Sequence, residues 1–355
     1  MGQHLTLRNA AVAWVVLLLA LCLAYQASPA DFDAAIRPYV NRKEFSGAVL
    51  VAKGDSVFIQ MGYGLANQEW EIPNTTDTKF RIGSISKQFT AAAILLLAQD
   101  GQLELNASVT KYLPEAPQSW KAVSIHHLLS HTSGIPNVTA LHSFGAKKVL
   151  PSKPEELMWL FRNLPLEFAP GTEGRYSNSG YIVLACVVER VSGQSLPVLL
   201  RDRILNPTGL RDTGSDTHRT ILRHRASGYT RFPEGLGNAD YIDMTVPVGG
   251  GSLYSTVADL HRWTRRLHRG QIIRPEWVRK MTTPVKRDYG YGLQIRNGKH
   301  GKIYEHGGEI EGFNAFLQYR AGNEIVVVVL SNINTRATGT IAQRLGDLAE
   351  EGGNP

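Results

Sequence analysis

Hydrophobic and polar positions sort the chain into two strand-rich ends and a helical middle. Residues 47–53 (GAVLVAK) and 56–61 (SVFIQM) are β-rich runs on either side of Gly54-Asp55, which predicts a hairpin. From Ser84 the period changes: Phe89, Ala92, Ala93, Leu96 and Leu97 recur at helical spacing, and Gly101 supplies a stop. Residues 105–241 carry most of the prolines, many loop signals and short helix-like runs at 182–191 and 196–205, so they read as an inserted helical lobe. Strand patterns return at 291–296, 302–305, 316–319 and 324–331. The last of these contains Ile-Val-Val-Val-Val-Leu, the continuous apolar run of a central strand buried on both faces. An amphipathic stretch over 337–350 predicts a closing helix. Strands at both ends with helices between them imply an α/β lobe over about 31–104 and 242–355, assembled from both chain ends around a helical lobe over about 105–241.

The first thirty residues are of another kind. Arg8 precedes a nearly unbroken apolar run from Ala10 to Leu23, then small residues follow at 27–30, the form of an export leader spanning residues 1–27. An uncleaved anchor is the competing reading, although the run is shorter than the roughly 20 apolar residues that a spanning helix prefers. A secreted or periplasmic protein is therefore expected, or one held at the membrane through this segment alone. Cys22 lies inside the run after Leu21, a poor setting for lipidation. Only Cys186 would remain in the mature chain, among Ile, Val, Leu and Ala, as a buried structural thiol.

The formal net charge of +7 raises the question of an anionic partner. Basic residues are mostly scattered, and the cluster at 262–269 (RWTRRLHR) reads as a solvated helix face. Without basic and aromatic interleaving, nucleic acid is not expected as a partner.

Three short motifs carry chemistry. In Ser84-Ile-Ser-Lys87, residues three apart on a starting helix share a face, so the Lys87 amine can approach the Ser84 hydroxyl. A serine hydroxyl needs such a base, and a partly desolvated lysine can supply one. The spacing alone is weak, with about one or two chance matches expected in a chain of this length. Ser108-Val-Thr-Lys111 has the same spacing but runs into Tyr112-Leu-Pro114 rather than an apolar helix. In Tyr176-Ser-Asn178, a tyrosine near a lysine ammonium can have its phenol pKa lowered and shuttle protons, while Asn178 offers a fixed amide to substrate or lysine. Tyr39-Val-Asn41 repeats that loose spacing. In His306-Gly307-Gly308, two glycines let a strand edge approach a substrate and expose backbone N–H groups. A neutral His306 can hydrogen-bond the substrate or leaving group.

Taken in order, Ser-x-x-Lys, Tyr-x-Asn and His-Gly-Gly resemble the three active-site motifs of class C β-lactamases and their relatives, among them penicillin-binding DD-peptidases, D-aminopeptidases and serine esterases. Residues 80–87 (FRIGSISK), 124–134 (SIHHLLSHTSG), 210–214 (LRDTG) and 250–260 (GGSLYSTVADL) also look like segments of that family, and the likeness spans about residues 31–335. The resemblance implies a β-lactamase/transpeptidase-like α/β fold, an antiparallel sheet flanked by helices. It implies an acyl-enzyme on Ser84, proton transfer through Lys87 and Tyr176, substrate contacts from Asn178, His306, Gly307 and Gly308, and an oxyanion hole from the backbone N–H groups of Ser84 and Glu309. No cofactor and no metal are implied. The substrate is expected to be a small molecule or peptide, including cell-wall peptide. One departure stands out: His-Gly-Gly replaces the usual Lys-Thr-Gly, so a mostly neutral imidazole takes the place of a permanent cation. Esters or peptide amides are then expected as better substrates than β-lactams, with a β-lactamase or DD-carboxypeptidase proper as the alternative.

Two readings from other classes compete. His126, His127 and His131 lie close together, and the last two have a helical ligand spacing, but no acidic residue completes a metal set. A non-catalytic penicillin-binding or sensor protein would keep the fold without turnover. Loops over 138–154 and 219–247 are expected to shape the substrate site. Oligomeric state is not legible in the sequence.

Overall fold

A computed structural model of the chain describes residues 27–352, so the expected leader lies, apart from Ala27, outside the described residues. The principal sheet has six antiparallel strands: β1 (Gly47–Lys53), β2 (Ser56–Tyr63), β3 (Gln294–Gly298), β4 (Gly301–Ile310), β5 (Phe313–Arg320) and β6 (Ile325–Ser331), in the spatial order β3-β4-β5-β6-β1-β2. The two chain ends meet where β1 pairs with β6, in a register running from Gly47 opposite Ser331 to Lys53 opposite Ile325. Because side chains alternate across a strand, these two strands feed two cores. Val49, Val51, Val327 and Val329 face helices α1 (Pro29–Asn41) and α5 (Ala337–Glu351), where Phe32, Ile36, Ile341 and Leu345 are buried. Leu50, Val326, Val328 and Leu330 face the other way, onto the core shared by α2 (Ser86–Gln99), α3 (Asn178–Ser192) and α4 (Val257–His268). The result is a three-layer α/β sandwich.

Helix α2 is buried along all of 86–98, as a helix apolar on every side must be. Its start carries Lys87, wholly buried. Helix α3 packs beside it and buries Cys186, whose thiol burial pushes above its ordinary pKa. The expected helical insert is helical only in part. Short helical pieces run as far as Asn206–Thr208, after which the chain returns to strand: Gly214–Ser215 and Phe80–Arg81 flank Leu253–Ser255 in a small sheet, and Tyr229–Phe232 pairs with Gly235–Asn238. Tyr-Thr-Arg-Phe before Pro-Glu-Gly is a strand-and-turn signal that outweighs the lobe around it.

The basic cluster at 262–269 is a solvated helix face only in part: Arg262 and Arg269 are exposed, but Arg265 is not. Arg265 is 6% exposed and Arg269 lies at the end of α4. Arg265 pairs with Glu324 at 2.9 Å and Arg269 with Asp55 at 2.8 Å, so α4 is fastened to two turns of the sheet rather than left open to anions.

Candidate active site

Ser84 lies on the single turn Gly83–Ile85 that leads into α2, so a helical turn separates it from Lys87. The Lys87 Nζ is 3.0 Å from Ser84 Oγ, 2.8 Å from Asn178 Oδ1 and 2.8 Å from the carbonyl oxygen of Gly250. The last two atoms are acceptors only. A neutral amine satisfies both with its two hydrogens and turns its lone pair to the Ser84 hydroxyl, the arrangement a general base needs. Burial pulls the Lys87 pKa from 10.5 down to about 7, so that neutral form is available near neutral pH.

Two features hold the amine there. Asn178 opens α3, which carries its amide to the start of α2. The Gly250 carbonyl comes from a turn that Thr90 pins by donating to Gly249 O at 2.7 Å. A side chain on Gly249, at φ +72°, would place Cβ 2.2 Å from Tyr181 O, so the turn requires glycine. Gly250 had no role in the sequence reading. The Gly249–Gly251 run was the available signal, but a backbone acceptor leaves no side-chain mark.

The Tyr176 hydroxyl donates to Ser84 Oγ at 2.8 Å. Ser84 thus accepts from the phenol while donating to the neutral amine. The expected lowering of the phenol pKa is overturned. Desolvation by the crowded walls raises it, and the lysine that was to stabilise a phenolate is itself buried and shifted toward neutrality. One edge of the ring faces the cleft, leaving Tyr176 40% exposed, while His131 and His306 lie against it, 4.3 and 6.2 Å between ring centres.

Strand β4 forms the opposite wall. A Cβ on Gly308 would lie 2.0 Å from Ile82 O, and one on Gly83, at φ +49°, would lie 2.6 Å from Glu309 N. The two glycines therefore let the peptide before Ser84 run against β4, bringing the Ser84 turn beside Glu309. His306 departs from expectation. Its Nδ1 donates to Gly307 O at 2.6 Å and its Nε2 accepts from the Tyr289 hydroxyl at 2.9 Å, so both nitrogens are occupied within the protein. Burial, with Lys87 nearby, pushes its pKa down to about 4. What β4 offers the cleft is backbone and a neutral ring.

The cleft has a volume of about 930 Å³ and is lined by Ser84, Tyr176, Asn178 and residues 306–311, with Val138, Thr139, Phe144, Ile242, Val246 and Pro247 on the far side. Both loops expected to shape it do contribute. The rival histidine cluster does not converge: His126 Nδ1 meets the Tyr291 hydroxyl at 2.7 Å, His127 Nδ1 accepts from Ser124 N at 3.2 Å, and His131 Nδ1 accepts from Ser177 N at 3.2 Å. The decoy Ser108 sits at the start of a separate turn, its hydroxyl against Thr110 at 2.8 Å.

A family model described as Beta-lactamase matches residues 32–350. The chain is 28% identical over 313 residues to "Penicillin-binding protein 4*" of Bacillus subtilis, an alignment covering 82% of this chain and 69% of that protein. Among solved structures, the octameric penicillin-binding protein homologue from Pyrococcus abyssi matches with a TM-score of 0.79 and 30% identity, over 90% of this chain and 76% of that one. D-amino acid amidase from Ochrobactrum anthropi shares the fold, with a TM-score of 0.79, 21% identity and coverage of 90% and 98%.

Proposed function

This chain belongs to the β-lactamase family of serine hydrolases, and from that premise we propose that it is an exported enzyme working through a Ser84 acyl-enzyme on esters or peptide amides. One observation carries the proposal: the Ser84 hydroxyl lies between a buried amine at 3.0 Å and a phenol at 2.8 Å. Neutral Lys87 takes the Ser84 proton as Oγ attacks the acyl carbon. The negative charge on the carbonyl oxygen is met by the backbone N–H groups of Ser84 and Glu309. As the tetrahedral adduct collapses, the proton held by Lys87 passes through Tyr176 to the leaving alcohol or amine, and an ester to Ser84 remains. Water then attacks that ester while giving a proton back along the same pair, which frees the acid and restores the Ser84 hydroxyl.

The substrate preference rests on β4. A neutral His306 with both nitrogens engaged supplies no cation of its own to a carboxylate of a β-lactam or peptide terminus, and among the cleft's lining residues it is Arg336 that carries positive charge. The D-amino acid amidase that shares the fold makes amino-acid amide bonds suitable candidates. The N-terminal apolar segment supports export. Purified protein assayed with nitrocefin and a p-nitrophenyl ester tests the preference: ester turnover exceeding that of nitrocefin is expected, and the reverse order would overturn it. A fluorophosphonate probe should add one mass label to wild type and none to Ser84→Ala. An unlabelled wild type would point to the non-catalytic binder instead.

A further inference from the structure

We propose that His131 is a positioning residue that sets the pose of Tyr176, gripping it from three sides. Its carbonyl oxygen accepts from Arg175 N at 2.9 Å, its Nδ1 accepts from Ser177 N at 3.2 Å, and its ring packs against the Tyr176 ring at 4.3 Å between centres, tilted by 42°. The peptide N–H groups before and after Tyr176 and one side of its ring are thereby all tied to one residue. The inference rests on the reading of Tyr176 as the proton relay and adds what holds the relay in place.

The requirements on this position are restrictive. The backbone of His131 has φ +58°, in the left-handed region that asparagine and histidine enter more readily than most side chains. Only an acceptor can take the Ser177 N–H, and only a flat ring can back the phenol. Asparagine meets the first two demands, phenylalanine only the ring, and histidine all three. The ring is buried, 4% exposed, and also lies 4.6 Å from the Tyr289 ring and 5.3 Å from Tyr181. Since Ser177 N can only donate, the imidazole proton must sit on Nε2, which is buried and meets no hydrogen-bond partner among the described residues. Desolvation, together with Lys87 and His306, keeps the ring neutral. A charged ring would turn a second donor onto Ser177 N–H and break the grip.

The test is a cycle of His131→Asn, Tyr176→Phe and the double variant, read as kcat and KM for p-nitrophenyl ester hydrolysis with thermal melting as a check. His131→Asn is expected to lower kcat about 10- to 100-fold with KM little changed, as misplacing a reacting group does. In the Tyr176→Phe background the same change should have almost no further effect, because a residue acting only through Tyr176 has nothing left to act on. Multiplicative losses, or a His131→Asn enzyme as fast as wild type, would overturn the proposal. A Tyr176→Phe enzyme as fast as wild type would instead sink the relay reading on which it rests. A measurement on the unaltered protein keeps the idea open to refutation if the variants do not fold. Long-range 15N–1H spectra should show His131 neutral with its proton on Nε2 from about pH 5 to pH 9, a range bracketing the ordinary histidine pKa. A proton on Nδ1, or titration within that range, would overturn the grip on Ser177.

Discussion

At the scale of single residues, function and stability pull on Lys87 in opposite directions. Its amine is proposed as the base, and burial brings its pKa from 10.5 down to about 7. The neutral fraction grows as pH rises through about 7, so ester hydrolysis should rise tenfold per pH unit below that point and level off above it. Tyr176 does not reverse the gain, since its phenol is shifted upward and stays protonated. The pH dependence of kcat/KM checks this, and a rate that is flat from pH 5 to pH 8, a span bracketing the shifted value, would contradict it. The same shift has a stability consequence. Between about 7 and 10.5 the unfolded chain binds the proton that the folded one has released, so stability rises with pH across that window and is lowest below it. At neutral pH the burden is up to about 4 kcal/mol, at about 1.4 kcal/mol per pKa unit. Lys87→Met, of similar length and without the amine, is therefore expected to melt higher than wild type while losing fluorophosphonate labelling. Asn178 and Gly250 lose a donor in that variant, which returns part of the gain.

Elements place these residues, and Gly83 and Gly308 decide how closely. Strand β4 and the turn before α2 approach until a Cβ on Gly308 would lie 2.0 Å from Ile82 O, while one on its neighbour Gly307 would stop 3.7 Å from the Phe316 ring. Gly308→Ala should therefore destabilise by about 1–3 kcal/mol, as overpacking does. Gly307→Ala should stay within about 0.5 kcal/mol of wild type. Urea unfolding of the pair checks this, and equal midpoints would mean that the approach of β4 to Ser84 is looser than described. The contrast also marks what was legible in the sequence. The hairpin of β1 and β2, helix α2 and the apolar β6 announce themselves by local period, and Ser84 and Lys87 share one turn. Tyr176 and Asn178 were found only because they stand in an ordered set of motifs. Gly250 was given no role, and His131 only that of a rival metal ligand: the first acts through a carbonyl 163 residues from Lys87, and the second acts through peptide groups and a ring contact that no residue type advertises. The burial of Arg265 within the basic face of α4 was hidden for a related reason, since the acids it meets, Asp55 and Glu324, are distant in sequence.

For the whole molecule, the decisive fact is that the site stands on a sheet closed by the far end of the chain. Strand β6 lies between β1 and β5 and is buried on both faces, with Ile325, Val327 and Val329 in one core and Val326, Val328 and Leu330 in the other. Among the described residues Cys186 is the free cysteine and it is buried, so the joining of the two ends rests on burial and strand pairing. Fully burying side chains of this kind is worth about 1.5–3 kcal/mol each. Six of them come to about 9–18 kcal/mol, as much as the 5–15 kcal/mol by which a folded domain is ordinarily stable. A chain ending at Gly322, which lacks β6 and α5, would also leave β1 and β5 as open edges, the surfaces on which strands aggregate. It is expected to be insoluble or to lack a cooperative melt, even though every residue assigned a catalytic role precedes the cut. Recovery of that truncated chain as a monomer labelled by fluorophosphonate at Ser84 would show that the lobe holding the nucleophile folds without the far end, and the account of the sheet as its foundation would have to be abandoned.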